Sequence, residues 1–255
     1  MKLGVAALVA AALIPMPTKG AAAGGNPAAA LGVSPLRVEL KGASTTTITV
    51  RNPGARPLVV TASRAGFART LRGKPRIKAL TGAAGWLQTR PRRLRLGSHA
   101  SATLRLVAKP PAGARPGDHP ALLLLTTRPP AVKTVHVLLR IGVVVLVRVS
   151  GTIVHRLVPR ALTVHRDGTD RILAVRLANR GNVSEWIGGR RVALVLSNGG
   201  KRFATLHARR FDLLPHSAGI AEFPYHGAVR GPVVAQVAFR PATLGVSRTF
   251  RVTLP

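Results

Sequence analysis

Apolar and polar positions alternate along most of the chain from Leu31 onward, with the two-residue period of half-buried β-strands. The 3.6-residue period of an amphipathic helix is absent, so the pattern predicts an all-β protein. Gly, Pro and Asn turns separate the strands. In the first half the predicted strands are 36–40, 45–50, 57–62, 102–107, 121–127, 135–139 and 143–149. In the second half they are 153–158, 161–165, 172–178, 192–197, 203–207, 219–223, 233–239 and 247–254.

The two halves share an order of strands and turns. Asn52-Pro53-Gly54 follows the second predicted strand of the first half. Asn179-Arg180-Gly181 occupies the analogous place in the second half, and Ser150-Gly151 is the predicted boundary between the halves. A single large barrel is the alternative, but the repetition favours two tandem Ig-like β-sandwich domains of ordinary size. We therefore predict sandwiches at 31–150 and 151–255.

Residues 1–23 have the features of a secretory signal peptide. Lys2 supplies the positive start, an apolar run of about 14 residues follows, and Ala21-Ala22-Ala23 suits a cleavage site. The alternative is a membrane anchor, but that run is shorter than the ~20 residues a spanning helix needs. We expect a cleaved signal peptide, a flexible Gly/Ala lead-in at 24–30, and an exported mature chain without a transmembrane anchor. Its expected location is extracellular, in the cell wall or at the cell surface.

Positive charge dominates the composition of this 255-residue chain. There are 39 Lys+Arg residues against 7 Asp+Glu, a net charge of +32, and removing 1–23 leaves +30. Such a charge favours a polyanionic partner, although part of it fits a general bias toward Arg. For an exported protein the expected partner is peptidoglycan or another anionic cell-wall polymer, or a surface protein. Nucleic acid is disfavoured, because aromatic residues that stack on bases make up only 4% of the chain.

The charge is concentrated in one stretch of the first half. No acid occurs between Glu39 and Asp118, and the segment 65–85 lacks a strand pattern, which predicts a long loop. A solvated surface without function is the alternative interpretation. The candidate ligand-binding residues of this stretch are Arg64, Arg69, Arg72, Lys74, Arg76, Lys78, Arg90, Arg92, Arg93 and Arg95.

Motifs for catalysis or cofactor binding are absent from the sequence. There is no Cys, and the acids are too few for paired-carboxylate chemistry. His165-Arg166-Asp167 spells a kinase triplet without the accompanying motifs, and Asn182-Val183-Ser184 is formally a glycosylation acceptor that also reads as a turn. We expect no enzyme, no catalytic residue, no metal and no cofactor. Trp86 and Trp186 are expected in the two cores.

The order of several short motifs over residues 31–151 resembles a known bacterial family. The pattern resembles the peptidoglycan-binding domain of the WxL-interacting proteins of Gram-positive surfaces, which implies an Ig-like fold and a wall-binding role. The residues that carry the resemblance are Val33-Ser34-Pro35, Arg51-Asn52, Trp86-Leu87, Pro116-Gly117-Asp118-His119, Arg140-Ile141-Gly142-Val143 and Ser150-Gly151.

The same pattern is similar, more distantly, to periplasmic pilus chaperones of the PapD type. That resemblance implies a chaperone or adaptor that adds an edge strand to a partner and grips the partner's carboxylate with a basic pair. Arg37 matches the first basic position, and Arg140 or Arg148 is the candidate for the second. The apolar strand 143–149 is the expected exposed edge.

Overall fold

The computed structural model describes residues 30–128 and 138–255, and in these ranges it contains nineteen β-strands and two short 3-10 helices. The predicted signal peptide, positions 24–29 of the lead-in and positions 135–137 of one predicted strand lie outside the described residues. Within the described ranges, no helix has the length and apolar character needed to cross a membrane.

The first half holds ten strands and one 3-10 helix at Gly82–Trp86. The strands are β1 (Gly32–Ser34), β2 (Arg37–Lys41), β3 (Ser44–Arg51), β4 (Leu58–Arg69), β5 (Pro75–Lys78), β6 (Leu87–Arg90), β7 (Arg93–Leu96), β8 (Ser101–Ala108), β9 (Gly117–Arg128) and β10 (Arg140–Val149).

The second half holds nine strands and a 3-10 helix at Ala242–Leu244. The strands are β11 (Leu157–Asp167), β12 (Asp170–Asn179), β13 (Glu185–Ile187), β14 (Val192–Asn198), β15 (Lys201–His207), β16 (Phe211–Leu213), β17 (Ala218–Tyr225), β18 (Gly231–Phe239) and β19 (Arg248–Leu254).

The first sandwich packs a four-stranded sheet, β1-β3-β8-β6, on a six-stranded sheet, β2-β10-β9-β4-β5, in which β7 also pairs with β4. The pairing of β2 with β10 is parallel and the others are antiparallel. Alternation selects the core: on β2, Val38 and Leu40 are buried while Glu39 is exposed. The largest fully buried side chains between the sheets are Ile48, Leu87, Leu104, Leu106, Leu123 and Leu125.

The second sandwich packs the sheet β11-β12-β17 against the sheet β15-β14-β18-β19, with a short β13–β16 pair beside them. Leu173, Leu177 and Phe223 lie at the centre of its separate core. Two antiparallel-rich sandwiches with separate cores confirm the predicted all-β class.

A buried asparagine closes the equivalent turn in each sandwich, as the repeated turn predicts. Asn52 Oδ1 accepts from Gly54 N at 3.0 Å, and its Nδ2 donates to the carbonyl of Arg56, four residues on. Asn179 repeats this geometry, accepting from Gly181 N at 2.9 Å and donating to Val183 O at 2.7 Å. The two turns are therefore the same structural device used twice.

The segment 65–85 is not the long loop that the sequence predicted. Strand β4 continues to Arg69, turns at Gly73 (φ +76°) and returns as β5. Strand β5 is the outermost strand of its sheet, and all four of its residues are exposed. A strand exposed on both faces has no apolar alternation, which is why the pattern missed it.

Two further expectations in the second half are wrong. The predicted strands 153–158 and 161–165 are one strand, β11, in which the register shifts between Pro159 and Ala161. Trp186 is 45% exposed instead of buried, because its neighbours Glu185 and Ile187 face inward and alternation turns it outward. Trp86, by contrast, is partly buried against the first core.

The hairpin of β4 and β5 reaches the second sandwich. Ile220 N donates to Leu71 O at 2.8 Å, close to the turn of the hairpin. Leu214 packs on the outer face of the six-stranded sheet, in a small cluster with Phe67, Leu122 and Leu146. The two sandwiches therefore share an apolar contact at one end of the six-stranded sheet. This cluster does not cover the other end of the sheet.

Candidate functional site

Only part of β10 is paired on both sides. Along its whole length β10 pairs with β9, but β2 pairs only with Val144–Arg148. Within 30–128 and 138–255, no strand pairs with Arg140–Val143 on the side that faces away from β9. We call this four-residue segment the open edge.

The position of the open edge corrects the sequence prediction that 143–149 is the exposed edge. Residues 144–148 are interior strand between β2 and β9, and Val145, Leu146 and Val147 are buried. An apolar strand is equally consistent with an edge and with an interior position, so the pattern could not distinguish the two.

The open edge exists because the chain before β2 changes sheets. Strand β1 pairs with β3 in the four-stranded sheet, whereas β2 joins the opposite sheet at Arg37. Val144 N donates to Leu36 O at 2.9 Å, which is the hydrogen bond nearest the crossing. Beyond this point the chain departs toward β1, and β2 no longer pairs with β10.

The backbone groups that face the open side follow from the pairing. Val144 N and Arg148 O both bond toward β2, so the even-numbered residues of β10 point to that side. The N–H and C=O groups alternate sides along a strand, which places those of Arg140 and Gly142 on the open side. Unpaired donors and acceptors in a row are a template for a further strand.

Large apolar side chains flank the open edge. Leu36 is 56% exposed beside the last hydrogen bond to β2, and Leu138 is 63% exposed just before β10. Ile141 is half-buried and Val143 is buried on the face toward the sandwich core. An incoming strand would find both backbone partners and apolar contacts here.

One row of side chains crosses the outer face of the six-stranded sheet next to the open edge. Arg140 lies opposite Thr126, Thr126 opposite Thr61, and Thr61 opposite Arg93. Opposed residues share a face, so both arginines project from this face about 15 Å apart across three strand spacings. Arg95 lies on the same face of β7, opposite Val59.

The structure divides the predicted cations of 64–95 among several places. Arg64 lies against the protein and donates Nη1 to Leu87 O, and Arg69 Nη1 donates to Gly73 O at 2.8 Å within the hairpin. Arg72 borders a small groove with Arg209 of the second sandwich. The others are exposed, on the hairpin at Lys74, Arg76 and Lys78, and on or beside β6 and β7 at Arg90, Arg92, Arg93 and Arg95.

The three arginines proposed to grip a carboxylate are not brought together. Arg37 lies opposite Val144, whereas Arg140 and Arg148 are each four residues from Val144 along β10, about 13 Å. Arg37 binds Asp212 and Glu39, and Arg140 Nε donates to Thr126 Oγ1 at 3.3 Å. Arg148 is bound to Asp118.

Asp118 joins the two sandwiches and was not predicted as a functional residue. Its buried carboxylate accepts two hydrogen bonds from Arg148, at 2.6 and 2.9 Å, and one from Ser184 N of the second sandwich, at 2.7 Å. Burial opposes ionisation, but the bonds from Arg148 and Ser184 outweigh it and lower the pKa of Asp118 below 3.8. The same pair raises the pKa of Arg148.

Asn182 also contributes to the contact between the two sandwiches. Its hydrogen bonds support the interpretation of Asn182-Val183-Ser184 as a turn. Its Nδ2 donates to Pro116 O at 3.0 Å and Thr152 O at 2.8 Å, and its carbonyl accepts from Asp118 N at 2.7 Å. A Cβ at Gly117 would stand 2.2 Å from that carbonyl oxygen, so glycine is required there. The motifs Pro116-Gly117-Asp118-His119 and Asn182-Val183-Ser184 therefore both contribute to the contact between the two sandwiches.

Together these features define a two-sandwich, all-β protein with an open strand edge at one end. No protein-family model matches the chain, and no curated protein matches it. Solved structures do. The class 5 fimbriae chaperone CfaA is 11% identical, with 89% of this chain and 99% of that chain covered and a TM-score of 0.49.

Two other similar structures are also connected with fimbrial chaperones. A chain from the Salmonella enterica SafA pilin–SafB chaperone complex is 14% identical, with 88% of this chain and 96% of that chain covered and a TM-score of 0.46. The E. coli chaperone DraB is 18% identical, with 89% and 99% covered and a TM-score of 0.45.

Proposed function

We propose that this chain is an exported, non-enzymatic binding protein that captures an extended strand of a surface-protein partner at the open edge. The observation that carries the proposal is that, among residues 30–128 and 138–255, β10 has strand partners on both sides at 144–148 and on one side only at 140–143. In this proposal residues 1–23 direct export, and the domains are 31–150 and 151–255.

The chemistry of the edge supports strand addition. The N–H and C=O groups of Arg140 and Gly142 offer up to four main-chain hydrogen bonds to a partner strand. Leu36 and Leu138 offer apolar contact to that strand. Close packing does not require a glycine at position 142, because a Cβ at Gly142 would make only ordinary contacts, 3.5 and 3.6 Å from Leu122 and Leu124. A partner with alternating apolar residues is therefore the expected ligand.

Gly142→Pro tests the edge directly. We expect it to weaken binding of an extended peptide at least about tenfold, because it removes an open-side N–H and its ring occupies the partner's path. Thermal stability is expected to change little, since that N–H has no strand partner among the described residues. The measurement is selection of a random peptide library on the immobilised chain, followed by affinities of the selected peptides for both forms.

Leu138→Ser is the companion variant, since it keeps every backbone group and removes one apolar contact. It is expected to weaken the same peptides several-fold. Equal enrichment of the same peptides on wild type and on Gly142→Pro would contradict strand capture.

A second candidate function is binding to an anionic cell-wall polymer such as peptidoglycan. Exposed arginines on and beside β7 favour it, since Arg92, Arg93 and Arg95 are exposed and make no ion pair with the acids of the described residues. The resemblance of 31–151 to the WxL-interacting domain agrees with this role.

Retention on purified cell-wall sacculi tests this second function. The double variant Arg93→Gln/Arg95→Gln is expected to lower retention about threefold at low salt, with the difference vanishing at high salt. The matched control is Arg166→Gln/Arg202→Gln, which removes the same charge from exposed positions of the second sandwich. An equal loss in both double variants would show that net charge alone is responsible.

A further inference from the structure

A cleft of about 530 Å³ opens at the end of the three-stranded sheet of the second sandwich. Ala178 and Ala218 lie directly opposite each other on neighbouring strands and border it with their small side chains. Four basic residues also line the cleft, Arg160, Arg176, Arg180 and His216. We call it the basic cleft.

Local backbone features place two of these side chains. Arg160 is the extra residue at the register shift of β11, where a bulge re-aims the side chain. His216 has a φ of +52°, a left-handed conformation that is uncommon outside glycine. Arg176 lies on regular strand, opposite Ala161 on one side and Ile220 on the other.

The turn that carries His216 is held firmly in place. Asn179 Nδ2 donates to Leu213 O and Leu214 O, at 3.2 and 3.1 Å. Asn179 N donates to Ser217 O at 2.8 Å, and Ser217 Oγ donates to Leu214 O at 2.7 Å. The basic cleft is thus built on the buried asparagine turn, which reduces the ordering cost of ligand binding.

No acid of the described residues forms an ion pair with a basic residue of the cleft. Glu222 lies diagonal to Arg176 on the same face of the sheet and is paired with Arg209. All seven acids lie in the described residues, and five of them form ion pairs with arginines outside the cleft. A sixth, Asp170, lies 3.0 Å from Nδ1 of His226, also outside the cleft. The seventh, Asp167, lies at the opposite end of β11, about 23 Å from Arg160 by strand length. Three arginines without carboxylate partners thus line one open space.

We propose that the basic cleft binds the phosphate group of a phosphate ester. Guanidinium groups form paired hydrogen bonds with phosphate oxygens, and three of them can serve more acceptors than the two oxygens of one carboxylate. The small floor at Ala178 and Ala218 leaves room for the ester substituent. This site is separate from the open edge, and the inference does not depend on the proposed strand capture.

Calorimetric titration of the full chain at low ionic strength tests the proposal. Phenyl phosphate and dimethyl phosphate distinguish monoesters from diesters, and acetate is the carboxylate control. We expect at least one phosphate ester to bind about tenfold more tightly than acetate. Arg176→Gln is expected to weaken that binding about tenfold, and Arg176→Lys about threefold, because lysine keeps the charge and loses the paired geometry.

Arg166→Gln, on the same sheet but outside the basic cleft, is the matched control and is expected to change affinity less than twofold. Arg160→Gln serves as a second cleft variant, with thermal unfolding to verify that each variant is folded. The proposal is overturned if acetate binds as tightly as both esters. It is equally overturned if Arg166→Gln weakens binding as much as Arg176→Gln, or if Arg176→Lys binds like wild type.

Discussion

Asn179→Ala is expected to lower the free energy of unfolding of the second sandwich by about 3–5 kcal/mol. The side chain is 1% exposed and donates to the carbonyls of Val183, Leu213 and Leu214 while accepting from Gly181 N. Alanine removes one hydrogen bond from each of these buried groups, although Leu214 O keeps the bond from Ser217 Oγ. A buried group left without a partner costs about 1–3 kcal/mol before water enters. Asn179→Asp is expected to be at least as damaging, because it directs a carboxylate oxygen at carbonyl oxygens.

The equivalent residue of the first sandwich supplies a matched comparison. Asn52 donates to two carbonyls, at 2.8 and 2.7 Å, so Asn52→Ala is expected to cost less, about 2–3 kcal/mol. Trp86 and Trp186 lie in different sandwiches, so single-tryptophan forms report each unfolding transition in urea. A change below about 1 kcal/mol for Asn179→Ala would contradict the structural role assigned to this turn.

Asp118→Asn is expected to have the second largest effect, a loss of about 2–3 kcal/mol at neutral pH. The substitution removes the charge that accepts from Arg148 and Ser184 and sets an amide N–H₂ against a cation. Arg148 is 44% exposed and can rehydrate, which keeps the loss below that of a fully buried pair.

The pH dependence of this effect has a definite sign. The pKa of Asp118 is lower in the folded chain than its ordinary value of 3.8. Its contribution to stability is therefore complete above pH ~4 and is lost as pH falls through the folded pKa. The difference in unfolding free energy between wild type and Asp118→Asn should shrink over that acidic range.

Urea unfolding at a series of pH values measures this difference. Asp167→Asn is the control, because Asp167 lies in the β11–β12 hairpin and forms no ion pair with the described cations. Its stability curve should run parallel to that of wild type. A parallel curve for Asp118→Asn as well would mean that the Asp118–Arg148 pair does not contribute to stability.

The alternation of apolar and polar residues predicted the strands that have one buried and one exposed face. The predicted strand 45–50 corresponds to β3, and 192–197 corresponds to β14, because alternation of side chains records which face is buried. The paired turns at Asn52 and Asn179 were predictable for the same reason, since an asparagine turn bonds within a few residues. The edge strand β5 was missed because it has no buried face.

The candidate sites depend on residues that are far apart in sequence. Arg93 and Arg140 share a face through two intervening strands, and the open edge exists because β2, a hundred residues earlier, stops short of Gly142. The basic cleft joins a bulge at Arg160 to a turn at His216. The number of charged residues along the sequence did not predict any of these groups of neighbouring residues.

By itself the sequence determined the all-β class, the two-sandwich repeat, the buried faces and the excess of cations over acids. The tertiary structure alone decided which part of β10 is open, which cations lie together and which acids neutralise them. The physical reason is that burial on one face of a strand has a period of two residues and can be read locally. The choice of neighbouring strand and of ion-pair partner is made across the fold, where adjacent side chains come from distant positions.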